Sequence, residues 1–437
     1  MAILIRVGWG RQGRRTPIDP SAAWYGVEWD VTVASSALTR IGNPELHAQL
    51  PVHNKRRGCT LLDNGKVNYY LDPNNFLKKT NGEDANRDGT DGMVMIEQEG
   101  FYYRYETEGN YRRIKISEFP LPGFRYQKKY YRGAYEATVY RPENKLSSVA
   151  NDTPDYRGGN NNAAWDSDDR SLLGVPASNI SRTNFQTYAR NRGTGWEMEP
   201  WHIYLLEWQL YLVEYANRNC QLPFTSSLTD EGFRQGGLGA GVTNINNAAW
   251  NAWKSRYGFV HCGYTDEFGV YTGVKPFELP AGYGSTFTTN VPRWRGIEIP
   301  FGHLWKWLNG INILVQSDLV GGKSYAYRAD NPANWSDLSN DDYQLIGEMI
   351  RTSGYMTDVI FGEGGDLLPS VVGGSSATFW GDYAAISIPS SGVSLRGIVV
   401  SGSSIASMDG GFGCFHLSNP PSTASASIGS RLCYLGA

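Results

Sequence analysis

Side chains able to do chemistry are few in this sequence, and their spacing is poor for catalysis. Asp166-Ser-Asp-Asp169 and Asp341-Asp342 bring carboxylates together, the raw material for acid–base work on a glycosidic bond. Acidic pairs of this kind usually lie solvated on loops, which is the expectation here. His261-Cys262 sets an imidazole beside a thiol, but neighbours in a strand face opposite sides, so a buried cysteine next to a histidine is expected. The stretch from Asp84 to Asp88 opens like a calcium loop, with oxygen ligands at alternate positions and Gly89 at the turn. The carboxylate that should close such a loop is replaced by Met95, which favours a polar loop leading into a strand. Ca2+ at Asp84–Asp88 is thus the only cofactor with any footing, and none is expected. There is no GxSxG elbow, HExxH helix or phosphate loop. The five cysteines are odd in number and scattered, without CxxC or CxxH spacing. They imply neither zinc nor a disulfide framework and suit a reducing cytoplasm. The chemistry points away from an enzyme.

Composition narrows the partners. The 437 residues carry a net charge of −3 and no basic stripe, so a nucleic-acid interface has no electrostatic footing. No apolar run is long enough to span a membrane, and the N-terminus has neither the basic start nor the cleavage site of a signal peptide. Export, if any, is expected by lysis. The 14 Trp and 27 Tyr suit a binding surface or a large β core equally well.

Strands are expected at Gly26–Asp30, Val67–Leu71, Met93–Ile96, Phe101–Tyr105, Tyr111–Ile116 and Ala134–Tyr140, with a hairpin turn at Glu106–Asn110. Pro120-Leu-Pro-Gly123 marks the expected boundary between a β-rich domain, 1–120, and a second domain, 121–437. Asn151–Asn162 reads as loop. Trp201, Leu205, Trp208, Leu212 and Tyr215 form one apolar stripe at helical spacing after Pro200. A second helix is expected from Pro300 through His303 to a cap at Gly310, with His303 structural, and a shorter one over Asp341–Arg351. Long Gly/Asn-rich loops, including Gln235–Gly239, lie between the first two helices.

The stretch from Gly364 to Ala437 contains no Lys, Glu or Gln. Randomising both adenines of AAY codons would give such a set, which also excludes Met and Trp; only Trp380 and Met408 fall outside it.

Several motifs together carry a resemblance: Gly26-Val-Glu-Trp-Asp30, Leu38-Thr-Arg-Ile-Gly42, Gly89-Thr-Asp-Gly-Met-Val-Met95, Tyr156-Arg-Gly-Gly-Asn160, Glu214-Tyr-Ala-Asn217, Gln235–Gly239 and Arg295–His303. With the ending Ile428–Leu435, the chain resembles tail-associated proteins of phages and prophages of gut bacteria. Their C-terminal domains have the C-type lectin fold and are diversified by a retroelement. The resemblance implies an α+β chain: an N-terminal β-rich attachment domain, then a lectin-like domain with long loop insertions, two helices and paired first and last strands. The strand near Ala134 and Arg431–Leu435 are the candidates for that pairing. The variable region would be about 377–437.

The implied function is attachment of a virion to a bacterial surface receptor, glycan or protein, by a homotrimer docked on other tail proteins. A polysaccharide-degrading tail enzyme and a bacterial adhesin are the alternatives. The candidate variable positions are Phe379, Asp382, Tyr383, Ala384, Ser387, Ser401, Ser403, Ser404, Ser407, Asp409, His416, Ser418 and Asn419, each reachable from an AAY codon. Trp380, Arg396, Met408, Phe412, Cys414, Arg431 and Leu432 are the expected scaffold.

Overall fold

The computed structural model describes residues 19–167, 171–222, 258–278, 288–404, 406 and 409–436. The hairpin forms as its turn residues dictate. Phe101–Glu108 and Tyr111–Ser117 pair antiparallel, closing at Glu108 opposite Tyr111, with Gly109 at φ +56°. They form part of a five-stranded sheet in the order Thr39–Gly42, Tyr25–Asp30, Tyr111–Ser117, Phe101–Glu108, Arg125–Gln127.

A seven-stranded sheet follows, in the order Trp196–Met198, Leu432–Tyr434, Tyr130–Gly133, Met93–Gln98, Arg57–Leu61, Val67–Asp72, Asn75–Lys79. Met93–Gln98 is buried at every position, as its unbroken apolar start requires of a central strand. The last strand of the chain slots in beside Tyr130–Gly133, which lies a few residues before the expected Ala134. Only Thr138–Tyr140 of the expected Ala134–Tyr140 is strand, and it forms a small hairpin with Lys145–Ser147.

Pro120 falls within this continuity. Arg125–Gln127 extends the first sheet, and Tyr130–Gly133 pairs with Met93–Gln98 in the second. One core contains Tyr25, Phe101 and Ile114 together with Trp201 and Trp208. Sheets and core both cross the expected boundary.

The helix after Pro200 spans Trp201–Tyr215, and its environment differs from the expected single stripe. Every residue except His202 is buried, so the helix is packed on all sides. Its two acidic side chains are matched accordingly. Glu207 accepts from Arg56 at 2.7 Å and from the Tyr130 hydroxyl at 2.5 Å. Glu214 accepts from Trp294 Nε1 and the Arg295 guanidinium, both at 2.9 Å.

Two expected helices are strands. Trp305–Gln316 replaces the helix from Pro300 and is the central strand of the largest sheet. It is covered on both faces, so its apolar run loses the alternation that marks a strand, and periodicity alone misreads it. Ile311, Ile313 and Val315 supply the β-branched content that decides the matter. Gly310 takes φ +73° within an irregularity of the pairing and caps no helix. Asp341–Arg351 contains the edge strand Gln344–Glu348, paired with Ser324–Arg328. Conversely, Arg182–Arg190 is a helix that sequence pattern missed, capped by Ser181 Oγ accepting from Asn184 N–H at 3.3 Å. Its buried apolar residues are only Phe185 and Ala189, too few to mark a stripe.

The largest sheet runs Gln344–Glu348, Ser324–Arg328, Trp305–Gln316, Val393–Val400, Phe415–His416, Tyr383–Ala385, Gly354–Ile360, Leu368–Val372, with Ile428–Gly429 also on Trp305–Lys306. The fold class is α+β with sheet dominant.

Candidate functional site

Alternation across the largest sheet divides the candidate positions in two. Ala384 and Phe415 are register partners and point into the core. Tyr383, Ala385 and His416 therefore share the opposite, partly exposed face. Tyr355, directly opposite Tyr383, extends this row. The two tyrosine rings meet edge-on, centroids 5.2 Å apart at 86°. The Tyr355 hydroxyl donates to the Asp409 carboxylate. Burial and the adjacent Asp409 charge push that hydroxyl up to about 12, so it remains a donor at neutral pH.

At the other end of the row, His416 Nδ1 lies 3.1 Å from Asn419 Nδ2, and its ring meets Trp305 at 5.8 Å and 71°. Burial lowers the His416 pKa, which keeps the imidazole neutral. Half-buried Ser418 offers its carbonyl to Arg396. The row is held by aromatic edges and short polar contacts. Its half-buried residues offer aromatic rings, a carboxylate and an amide, groups that suit contact with a polar partner.

Two further candidates lie off the row. Ser387 is exposed. Phe379 is half-buried with φ +54°, an uncommon conformation for an aromatic residue. Its N–H donates to Ala34 O at 2.6 Å and its ring lies 5.7 Å below the Arg218 guanidinium. Ser407, like the expected scaffold residue Met408, is outside the described residues.

Five candidates are frame and not surface. Asp382, Ala384, Ser401, Ser403 and Ser404 are all buried, at most 3% exposed. Ser401 Oγ accepts from Lys306 Nζ at 3.1 Å, and Ser404 Oγ donates to His303 O at 2.7 Å. Asp382 accepts from Gly413 N–H at 2.8 Å beside the Cys220 thiol. Burial pushes the Asp382 carboxyl well above the usual range, and no cation opposes the shift. The codon argument fixes which residues a position can reach and says nothing about which way the side chain points. The expected scaffold is buried at Trp380, Phe412, Cys414, Arg431 and Leu432, while Arg396 is half-buried. Arg431 ties the last strand down by donating to the carbonyls of Gly133, Glu298 and Ile299.

The catalytic candidates disperse. Asp166 is engaged by Arg157 in a two-pronged ion pair, and Asp168 and Asp169 lie outside the described residues, as does Gln235–Gly239. His261 faces out while Cys262 faces in, its thiol pushed up by burial. In the calcium-like loop, Asp84 pairs with Lys78 at 2.6 Å, and Asp88 Oδ1 accepts from the Thr90 amide and hydroxyl. These oxygens stabilise a turn. Among the described residues, no group of three His, Cys, Asp or Glu side chains is placed to hold a metal ion. His303 is structural: Nδ1 lies 2.5 Å from the Glu136 carboxylate, and Nε2 accepts from Phe259 N–H at 3.0 Å.

Sequence reasoning missed Tyr355 and Trp305, which lie outside the compositionally unusual tail. The alternation of polar-tipped Tyr355 and Thr357 about apolar Met356, in a run continuing to Val359 and Ile360, is the sequence signal that could have found the first. Compared with known proteins, the chain matches no protein-family profile and no curated protein sequence.

Proposed function

We propose that this protein is a non-enzymatic receptor-binding protein of a phage tail. It attaches the virion to a bacterial surface glycan or protein through the outer face of its C-terminal sheet. In this reading the C-terminal region is a lectin-like domain diversified by a retroelement, and variation is confined to the outward positions. The observation that supports it most is the row Tyr355, Tyr383, His416, with Asp409 and Asn419 beside it: half-exposed, polar and aromatic, on a frame whose other side is fully buried. Side chains on such a face change with little effect on folding, as a mutable binding surface requires. Weak single contacts gain strength when several copies act together, and a trimer on a tail would supply them.

The test is a graft. Tyr383, Ser387, Asp409, His416, Ser418 and Asn419 are exchanged together for the set of a differently targeted relative, and adsorption to host cells is measured beside melting. Redirected adsorption with melting largely retained is expected, because these positions lie outside the buried core, where single substitutions usually stay within about 0.5 kcal/mol. Unchanged adsorption would overturn the reading.

A further inference from the structure

A polar cleft lies where the first and the largest sheets meet, and its lining shares no residue with the Tyr355–His416 row. Its volume is about 720 Å³, and a smaller recess of about 260 Å³ adjoins it through the shared walls Arg125 and Glu363. The larger volume falls in the range of roughly 300–1,000 Å³ that small-ligand clefts occupy.

One wall comes from the five-stranded sheet. Tyr103 and Arg125 are direct cross-strand partners and so share a face. Tyr103 packs against Tyr105 with ring centroids 5.1 Å apart, giving an aromatic bed in the recess. The other wall comes from the largest sheet and the loops beside it. Arg328 is clamped there by Asp330 at 2.6 Å and by Asp366 at 2.9 Å. Asp366 is itself fixed by Trp201 Nε1 of the central helix at 2.9 Å, so this charged cluster rests on the most buried element of the fold. Beside it, Asn334, Asp342 and Gln344 line the cleft. None of these three makes a side-chain hydrogen bond within the chain among the described residues.

Flat amides and carboxylates with unused hydrogen-bonding capacity match the paired donors and acceptors of vicinal hydroxyls. The tyrosine bed matches the C–H face of a pyranose ring. Across cleft and recess four carboxylates (Asp330, Asp342, Glu363, Asp366) face three guanidiniums (Arg104, Arg125, Arg328), so no excess of positive charge is present to favour a phosphate or uronate ligand. We propose that this cleft is a second binding site, separate from the Tyr355–His416 row, that takes a neutral oligosaccharide. The inference stands independently of the proposed retroelement and phage reading.

The test uses the full chain and saturation-transfer NMR with maltotriose, chitotriose and mannotriose, with trigalacturonate and a lysine-rich peptide as competitors. At least one neutral trisaccharide should bind at about 1 mM or tighter. Asp342→Ala with Gln344→Ala should weaken it roughly tenfold without changing melting, since both side chains are exposed. Leu319→Ala, exposed and outside both the cleft and the row, should leave it unchanged. The proposal is overturned if no neutral trisaccharide binds, or if trigalacturonate or the peptide is preferred. Loss with Tyr383→Ala but not with the cleft variant would also overturn it, by moving the sugar to the tail surface. New reducing ends in the mixture would overturn a binding cleft in favour of a hydrolytic one.

Discussion

Trp208, at the middle of the central helix, meets Trp380 of the tail edge-on, with ring centroids 5.4 Å apart at 70°. Both rings are fully buried, and Trp208 also packs against Phe415 at 6.1 Å. The tail that carries the candidate binding row is therefore also one wall of the main core. Its restricted composition has to build this packing as well as the partly exposed face.

Trp208→Ala should cost about 3–5 kcal/mol of folding stability, since it opens a large cavity between these rings. Chemical denaturation of the full chain measures this. A loss near zero would mean that the stripe is not core.

Asp382→Asn should stabilise the protein at neutral pH relative to the wild type. Burial raises the Asp382 carboxyl in the folded protein, while the unfolded chain ionises in the ordinary range. Folding then takes up a proton, so stability falls as pH rises from the unfolded pKa towards the folded one. Asn keeps an oxygen for Gly413 N–H and has no charge to lose. Melting of the two proteins should converge near pH 4 and diverge as pH rises.

Glu214 predicts the opposite slope. Burial alone would raise its carboxyl, but Arg295 and His53 outweigh that and hold it at about 2. Its contribution is complete above the unfolded value of about 4.3 and is lost as pH falls towards about 2. Glu214→Gln should destabilise by about 3–5 kcal/mol at neutral pH, by leaving Arg295 buried and unpaired. That deficit should shrink in melts recorded down to pH 2.

A specific protease site inserted after Pro122 should be cut readily, since Pro122 and Gly123 are exposed. The two pieces should nevertheless co-elute without denaturant, because paired strands and a shared core join the two sides. Separate elution would restore two independent domains.

The sequence by itself determined the elements whose signals are local. The Gly109–Asn110 turn, the Met93–Ile96 run and the aromatic helix after Pro200 all follow from turn chemistry, β-branched content and periodicity within a few residues. It also marked most of the tail's frame, because Trp380, Phe412, Cys414 and Leu432 have little to gain from water, whereas the last strand is expected only through the resemblance. Tertiary structure alone decided the rest. Trp305–Gln316 is a strand because distant strands take up its backbone hydrogen bonds while other parts of the chain cover both of its faces, and a run buried on both faces carries no period to read. Asp382 and Ser401 are frame because a small polar side chain can be buried wherever a distant amide or ammonium satisfies it, and those partners lie far away in sequence. The row from Tyr355 to His416 exists only because parallel and antiparallel registers bring three separate strands side by side.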